Sequence, residues 1–191
     1  SDIKFDDNGN MWALSSEVNH PLAVKTRQGD WHSFSIGLNQ VDLFLDDLLI
    51  DDYNQKWGVL ARGNGLFVYN DNNTISDLSD DEYKKINTSV GSGNLPSMQT
   101  YCVEKDFNGE VWVGTDKGVA VFYNPEAIFT GFNFDSEQIL ITEGDYGQYL
   151  LSEERVKCIY IDGANRKWIG TEKSGIFLLS ENSQEEILHF T

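Results

Sequence analysis

Basic residues are scarce in this chain: 14 lysines and arginines stand against 31 aspartates and glutamates, a formal net charge of −17. Nucleic-acid phosphates demand a basic footprint, and anionic membrane surfaces attract basic clusters, so this balance disfavours both as partners. Its bland meaning is solubility. Cysteine and histidine are scarcer still, with two and three copies. His20, His32 and His189 show no ligand spacing, and two cysteines without histidine help are too few for a metal site. Long hydrophobic runs are missing: no stretch approaches the ~20 apolar residues that span a bilayer, and no secretory leader is visible. Gly-x-Ser-x-Gly, P-loop and dinucleotide fingerprints are absent. With so many acids, carboxylate pairs arise by chance and identify nothing. The expectation is a protein that is not an enzyme, with no catalytic, cofactor-binding or metal-ligating residues and no cofactor.

What the chain has is repetition. Asp106 to Tyr123, DFNGEVWVGTDKGVAVFY, reads as one hairpin: an acidic turn, a strand through Val111, Trp112 and Val113, a glycine turn, and a strand from Val119 to Tyr123. Glycine permits positive φ in the turns, and the valine and aromatic runs favour extended backbone. Aligned on tryptophan, the unit occurs four times, at Trp12, Trp57, Trp112 and Trp168, spaced by 45, 55 and 56 residues. An acid stands six residues before each tryptophan (Asp6, Asp51, Asp106, Asp162) and an aliphatic nine before it (Ile3, Leu48, Val103, Ile159). The Trp-x-Gly-Thr ending is complete in the last two copies, Trp112 to Thr115 and Trp168 to Thr171. Self-similar, strand-rich units of about 40–50 residues are the signature of β-propeller blades. The later strands are apolar at consecutive positions, as a sheet covered on both faces requires.

The reading is therefore an all-β chain of four four-stranded antiparallel blades, a single segment of a partial ring, with blades at about 1–36, 46–90, 99–142 and 155–191. Trp31 falls off the repeat register and is placed on the outer strand of the first blade. Residues 37–45, with Val41, Leu43 and Leu45 alternating, link to the second. Residues 79–87, SDDEYKKIN, read as either a Ser79-capped helix or an outer strand, and strand is preferred because the blade otherwise lacks its fourth. Ser92 to Ser97 is a turn cluster. Residues 144–154 link to the last blade, whose outer strand is 185–190. The sequence opens at Ser1-Asp2-Ile3 inside a strand and closes at Leu188-His189-Phe190-Thr191 in another. It reads as an excised piece, for which a missing leader says nothing about compartment.

Three features invite a ligand. The turns Asp6-Asp7-Asn8-Gly9-Asn10 and Asp106-Phe107-Asn108-Gly109-Glu110 offer oxygens suited to calcium, but no distal glutamate follows at EF-hand spacing. Local capping of backbone N–H groups is the preferred account. Phe129, Phe132 and Phe134, on the insertion at 124–138, either grip a ligand or pack that loop onto its own blade, and packing is preferred. Cys102 and Cys158 each lie ten residues before a tryptophan. A bridge between adjacent blades is open, but equivalent atoms there lie beyond the ~7 Å Cα reach of a disulfide, so two buried free thiols are preferred.

The pattern Asp-x-x-Gly-x-x-Trp-x-Gly-Thr, then Gly-x-x-x-Phe/Tyr, with Leu95-Pro96-Ser97 before the next inner strand, resembles the two-component regulator propeller repeat. Gly65 to Asn70, Gly118 to Pro125 and Asp162 to Thr171 further resemble the PorZ-type propellers of the type IX secretion system. The resemblance implies a periplasmic or cell-surface, non-catalytic propeller that binds a glycan or a protein partner as a scaffold. The alternative it implies is the extracellular ligand sensor of a hybrid two-component histidine kinase. It carries no ligand residues over. Relatives of this kind hold seven-bladed rings, so four blades leave the end faces exposed, and self-association through them is expected.

Overall fold

The computed structural model describes residues 2–37, 44–131, 133–143, 146–183 and 185–191. Strands pair in sequence order within successive antiparallel sheets, each a meander. The first blade holds β1 (Ile3–Phe5), β2 (Met11–Leu14), β3 (Leu22–Lys25) and β4 (Trp31–Phe34). The second holds β5 (Leu45–Ile50), β6 (Lys56–Leu60), β7 (Gly65–Asn70) and β8 (Glu82–Ile86), so 79–87 contributes a strand as expected. The third holds β9 (Thr100–Lys105), β10 (Val111–Thr115) and β11 (Gly118–Phe122), and is followed by a separate hairpin, β12 (Leu140–Glu143) with β13 (Tyr146–Tyr149). The fourth holds β14 (Val156–Ile161), β15 (Lys167–Thr171), β16 (Ile176–Leu179) and β17 (Glu186–Phe190). Among the described residues no helix is long and apolar enough to cross a membrane.

Two expectations are corrected here. The third blade has three strands rather than four. Where the fourth would run, Glu137 alone bridges Val121, through paired backbone bonds of 2.9 Å. The chain is held elsewhere: the Asp135 carboxylate accepts the Gly91 and Gly93 N–H groups, and the Ser136 hydroxyl donates to the Gly93 carbonyl. These bonds tie residues 135–136 to the turn after β8, so the backbone crosses β11 at one point instead of lying along it. Likewise, 144–154 is more than a link, since β13 within it pairs with β12. Val41, Leu43, Phe132, Gly144 and Asp145 lie outside the described residues.

The repeat spacing works through the turn between the first two strands of each blade. Three residues before each tryptophan stands Gly9, Asn54, Gly109 or Asn165, all with φ between +57° and +82°. Glycine lacks the Cβ that clashes in this left-handed region, and asparagine tolerates it. The turn brings the acid under the following strand, where it caps N–H groups. Asp51 Oδ1, for example, accepts Tyr53 N at 3.0 Å and Gln55 N at 2.8 Å.

Hydrophobic packing lies between blades. One cluster joins Trp12, Leu14, Leu22 and Phe34 of the first blade to Leu48, Phe67 and Tyr69 of the second. Another joins Trp57, Val59 and Val68 to Val103, Val111 and Phe122. A third joins Trp112, Val119 and Val121 to Ile159, Ile169, Phe177 and Leu179. Trp12, Trp57 and Trp112 thus each face the blade that follows, with the innermost strands β1, β5, β9 and β14 packed in succession. Every residue of β6, β10 and β11 is buried, whereas β2 alternates. Consecutive apolar runs mark the sheets covered on both sides, as the sequence implied. The loop after β11 packs down, but into the seam between the second and third blades rather than onto its own blade alone: Ile128 and Phe134 join the second cluster, Phe129 lies against it, and Lys84 of the second blade lies over the Phe134 ring.

Candidate binding surfaces

The acidic turns gather at one end of the blades and leave a polar groove across the first two. One cleft of about 680 Å³ is lined by Asn8, Asn10, Arg27, His32 and Asn73, and an adjoining one of about 480 Å³ by Asp7, Asp52, Tyr53 and Lys105. Asp6, Asn8, Asn54 and Asn73 border both. Each cleft falls in the range of small-ligand clefts. The side chains are partly preorganised: Asn54 Nδ2 donates to Asn73 Oδ1 at 2.8 Å, Arg27 N donates to Asn10 Oδ1 at 3.0 Å, and Lys105 pairs with Asp52. Exposed rings of Phe5 and Tyr53 stand in the second cleft. Amides, carboxylates, a guanidinium and flat rings can bind a polar ligand by hydrogen bonds and stacking. His20 Nδ1 lies 3.2 Å from Ser33 Oγ at an exposed site, but among the hydrogen bonds of the described residues no carboxylate orients that histidine.

Beneath the groove, the repeated acids are occupied by their own turns. Asp6 Oδ2 accepts Asn10 Nδ2 at 2.8 Å and Trp12 Nε1 at 3.0 Å. Asp51 Oδ2 accepts Gln55 Nε2 at 2.7 Å and Trp57 Nε1 at 2.8 Å. Asp162 Oδ2 accepts Arg166 Nε at 2.8 Å and Trp168 Nε1 at 3.0 Å. Oxygens used in this way serve as caps and indole anchors, the turn chemistry preferred over calcium. Burial pushes the Asp6 carboxyl upward, but the Trp12 and Asn10 donors more than offset it and leave it below the ordinary carboxylate range. At Asp51 burial dominates and leaves the group above that range. The Arg166 guanidinium, with Trp168, holds Asp162 well below it.

The third copy breaks the rule. Where the others have the donors Asn10, Gln55 and Arg166, it has Glu110, which in its ionised form can only accept. Asp106 Oδ2 turns instead to Lys167 Nζ of the fourth blade, 3.0 Å away with both side chains buried. Trp112 Nε1 is left buried without a partner. Burial, together with the Asp106 charge, raises the Glu110 pKa. A second buried lysine sits at the equivalent place between the first two blades: Lys56 Nζ lies 2.7 Å from Asp71 Oδ1 and 4.0 Å over the Trp12 ring. Both lysines immediately precede a repeat tryptophan.

The cysteines do not bridge. Cys102 is buried, which pushes its thiol well above the ordinary value, but Cys158 is exposed, correcting the expectation that both are buried. The sequence pattern treats the two as equivalent; the fourth blade leaves its tryptophan-bearing face open, and Cys158 is on it. The sequence analysis named no binding residues, and Arg27, Asn54 and Asn73 enter as candidates only through the groove they line. The available signal was the asparagine-rich run Asn70 to Thr74 beside the repeated turns, whose convergence with 26–28 needs two blades set side by side.

Sheets in sequence order, inter-blade cores and repeated Asp–Trp anchors define a β-propeller segment. Residues 94–117 match the family described as two component regulator propeller. The chain is similar in structure to PorZ, a bacterial surface component of the type IX secretion system of Porphyromonas gingivalis, with 26% identity and a TM-score of 0.84, covering all of this chain and 27% of that one. Over 97% of its length it is 28% identical to histidine kinase P4 of Formosa agariphila, of which it spans 14%. The extracellular domain of a hybrid two-component system from B. thetaiotaomicron shares the fold at 14% identity and a TM-score of 0.53, over 99% of this chain and 30% of that one. The likeness to the regulator propeller repeat and to PorZ seen in the sequence therefore holds in three dimensions. The chain spans less than a third of each of these relatives.

Proposed function

We propose that residues 1–191 form a single segment of a non-catalytic propeller, in the periplasm or at the cell surface, which binds a glycan or a protein partner and associates through its end blades. The likeness to PorZ across the entire chain, at 26% identity and a TM-score of 0.84, carries this reading. Convergence of Asn8, Asn54, Asn73 and Arg27 on one groove supplies a binding surface, and the net charge of −17 turns nucleic acids and anionic lipids away. A second reading, the ligand-sensing propeller of a hybrid two-component histidine kinase, is favoured by the kinase match over 97% of the chain. The two separate on the full gene: a membrane span and kinase modules after Thr191 mark the sensor, a short C-terminal β-domain the secretion component. Binding is tested with the purified chain on a glycan array. Retention of one glycan class, lost in Asn54→Ala and Asn73→Ala, is expected. No binding to any glycan, or binding indifferent to both substitutions, removes the groove from the reading, and turnover of any glycan removes the non-catalytic assignment.

A further inference from the structure

In the first, second and fourth blades the anchor acid accepts two side-chain donors on one oxygen. One comes from the residue four positions on (Asn10, Gln55 or Arg166), and the other is the indole N–H of the repeat tryptophan. The third blade keeps only the backbone half of this motif: Asp106 Oδ1 accepts Asn108 N at 2.9 Å and Glu110 N at 3.0 Å. Its side-chain half is broken. Asn165 reaches across from the fourth blade, its Oδ1 accepting Phe107 N at 2.9 Å. Asp106 Oδ2, Trp112 Nε1 and Asn165 Nδ2 are buried without a hydrogen-bond partner, three of the five such side-chain atoms among the described residues. Unpaired buried polar atoms are costly, so three at one seam need a physical cause. Lys167 Nζ, 3.0 Å from Asp106 Oδ2, balances the carboxylate charge, while its hydrogen bonds go to the Asn165 and Glu181 carbonyls at 3.0 and 2.6 Å.

Glu110 explains the cluster. It precedes Val111, whose partner on β11 is Phe122, and Tyr123 follows that partner. The titratable and charged groups around it are Asp106 in its own turn, Tyr123 at the end of β11 and Lys167 on β15, with Glu137 acting on Tyr123 in turn. Burial and the Asp106 charge favour the neutral acid, and Lys167 opposes them more weakly. A neutral carboxyl is a donor, whereas a carboxylate only accepts. Protonated, Glu110 thus offers with an O–H what Gln55 offers with an N–H. The residue is part-buried, which lets its proton exchange with solvent.

We propose that Glu110 is a proton-operated switch at the seam of the third and fourth blades. Protonated, it donates to Asp106 Oδ2, and that carboxylate takes up the Trp112 indole as Asp51 takes up Trp57. Ionised, Glu110 has no proton to give and the two carboxylates repel. Trp112 is then released, and Asp106 Oδ2 is left to Lys167. The proton comes from solvent and returns to it, and only bonds to hydrogen change. The arrangement described above, with Trp112 Nε1 unpartnered, is that of the ionised state. Acid therefore brings the third blade into line with the other three, and neutral pH hands its anchor to the blade that follows. Both blades of this seam lie within the chain. The groove over the first two blades plays no part, so failure of the switch leaves the binding proposal standing, and the reverse.

The indole N–H resonances of the isotope-labelled chain, followed by nuclear magnetic resonance from acid to neutral pH, test it. In acid the Trp112 indole proton is expected downfield, near those of Trp12 and Trp57, and it should move upfield as pH rises. Its midpoint should match the side-chain carboxyl titration of Glu110 and lie above the ordinary glutamate value. Trp12 and Trp57 should stay fixed. In Glu110→Gln the Trp112 resonance should keep its acid position at every pH, and in Glu110→Ala its neutral one. Far-ultraviolet circular dichroism reports the folding of both variants, and either one alone suffices. A Trp112 resonance indifferent to pH in the wild type overturns the switch. So does one that titrates in a folded variant as it does in the wild type. A resonance that moves only together with Trp12 and Trp57 marks general loosening in acid and overturns it too, as does a Glu110 midpoint at the ordinary value.

Discussion

Glu110→Gln is expected to stabilise this protein, an unusual outcome for a substitution at a repeat motif. At the equivalent position Gln55 donates its side-chain amide to Asp51 Oδ2 at 2.7 Å, while Asp51 also accepts the Trp57 indole. Glu110 offers no such donor when ionised; it sets a second carboxylate against Asp106, and Trp112 Nε1 stays unpaired. A hydrogen bond to a charged group contributes about 1.5–3 kcal/mol net. Glu110 is only part-buried, so solvent screening brings the expected gain to about 1 kcal/mol. In a domain of this size ~1 kcal/mol raises Tm by about 2–4 °C. The pH dependence carries a sign. Burial and Asp106 raise the folded-state pKa of Glu110 above its unfolded value, so the native carboxyl contributes stability at low pH and loses it as pH rises through the raised pKa. The variant has nothing to lose there, and its advantage grows from acid to neutral pH. Calorimetry or urea denaturation of both chains between pH 4 and 8 reads the difference. An unchanged or lower Tm at neutral pH, or an advantage that shrinks toward neutrality, refutes the account of this cluster.

Asp71→Leu leaves Lys56 charged, fully buried and unpaired, and is expected to cost about 3–5 kcal/mol in urea denaturation, whereas Lys56→Met combined with Asp71→Leu recovers most of it. Burial pushes the Asp47 carboxyl up to about 6, with Asp2 beside it, so its ionisation costs stability as pH rises through that value. Asp47→Asn should therefore flatten the stability profile between the ordinary carboxylate range and about pH 6, with little difference between the two chains at the acid end. A Cβ at Gly58 would stand 2.1 Å from Phe67 Cε1, and Gly58→Ala is expected to lower stability by about 1–3 kcal/mol through overpacking, measured by thermal melting.

Much of the fold is legible because each blade is a local unit. Acid, left-handed turn residue and tryptophan lie within seven residues, so Asp51, Asn54 and Trp57 write their own geometry into the chain whatever surrounds them. The candidate groove is not legible in this way. Asn8, Asn54 and Asn73 come from different turns, and what unites them is the packing of one blade on the next.

By itself, then, the amino-acid order determined strand type and repeat period, since these follow from backbone sterics and turn chemistry over short distances. Tertiary structure alone decided that the third blade stops at three strands, because hydrogen bonds from Asp135 and Ser136 to a turn more than 40 residues away outcompete pairing along β11. It also decided that Cys102 and Cys158, alike in the repeat, differ in exposure: one face is covered by a neighbouring sheet and the other is open.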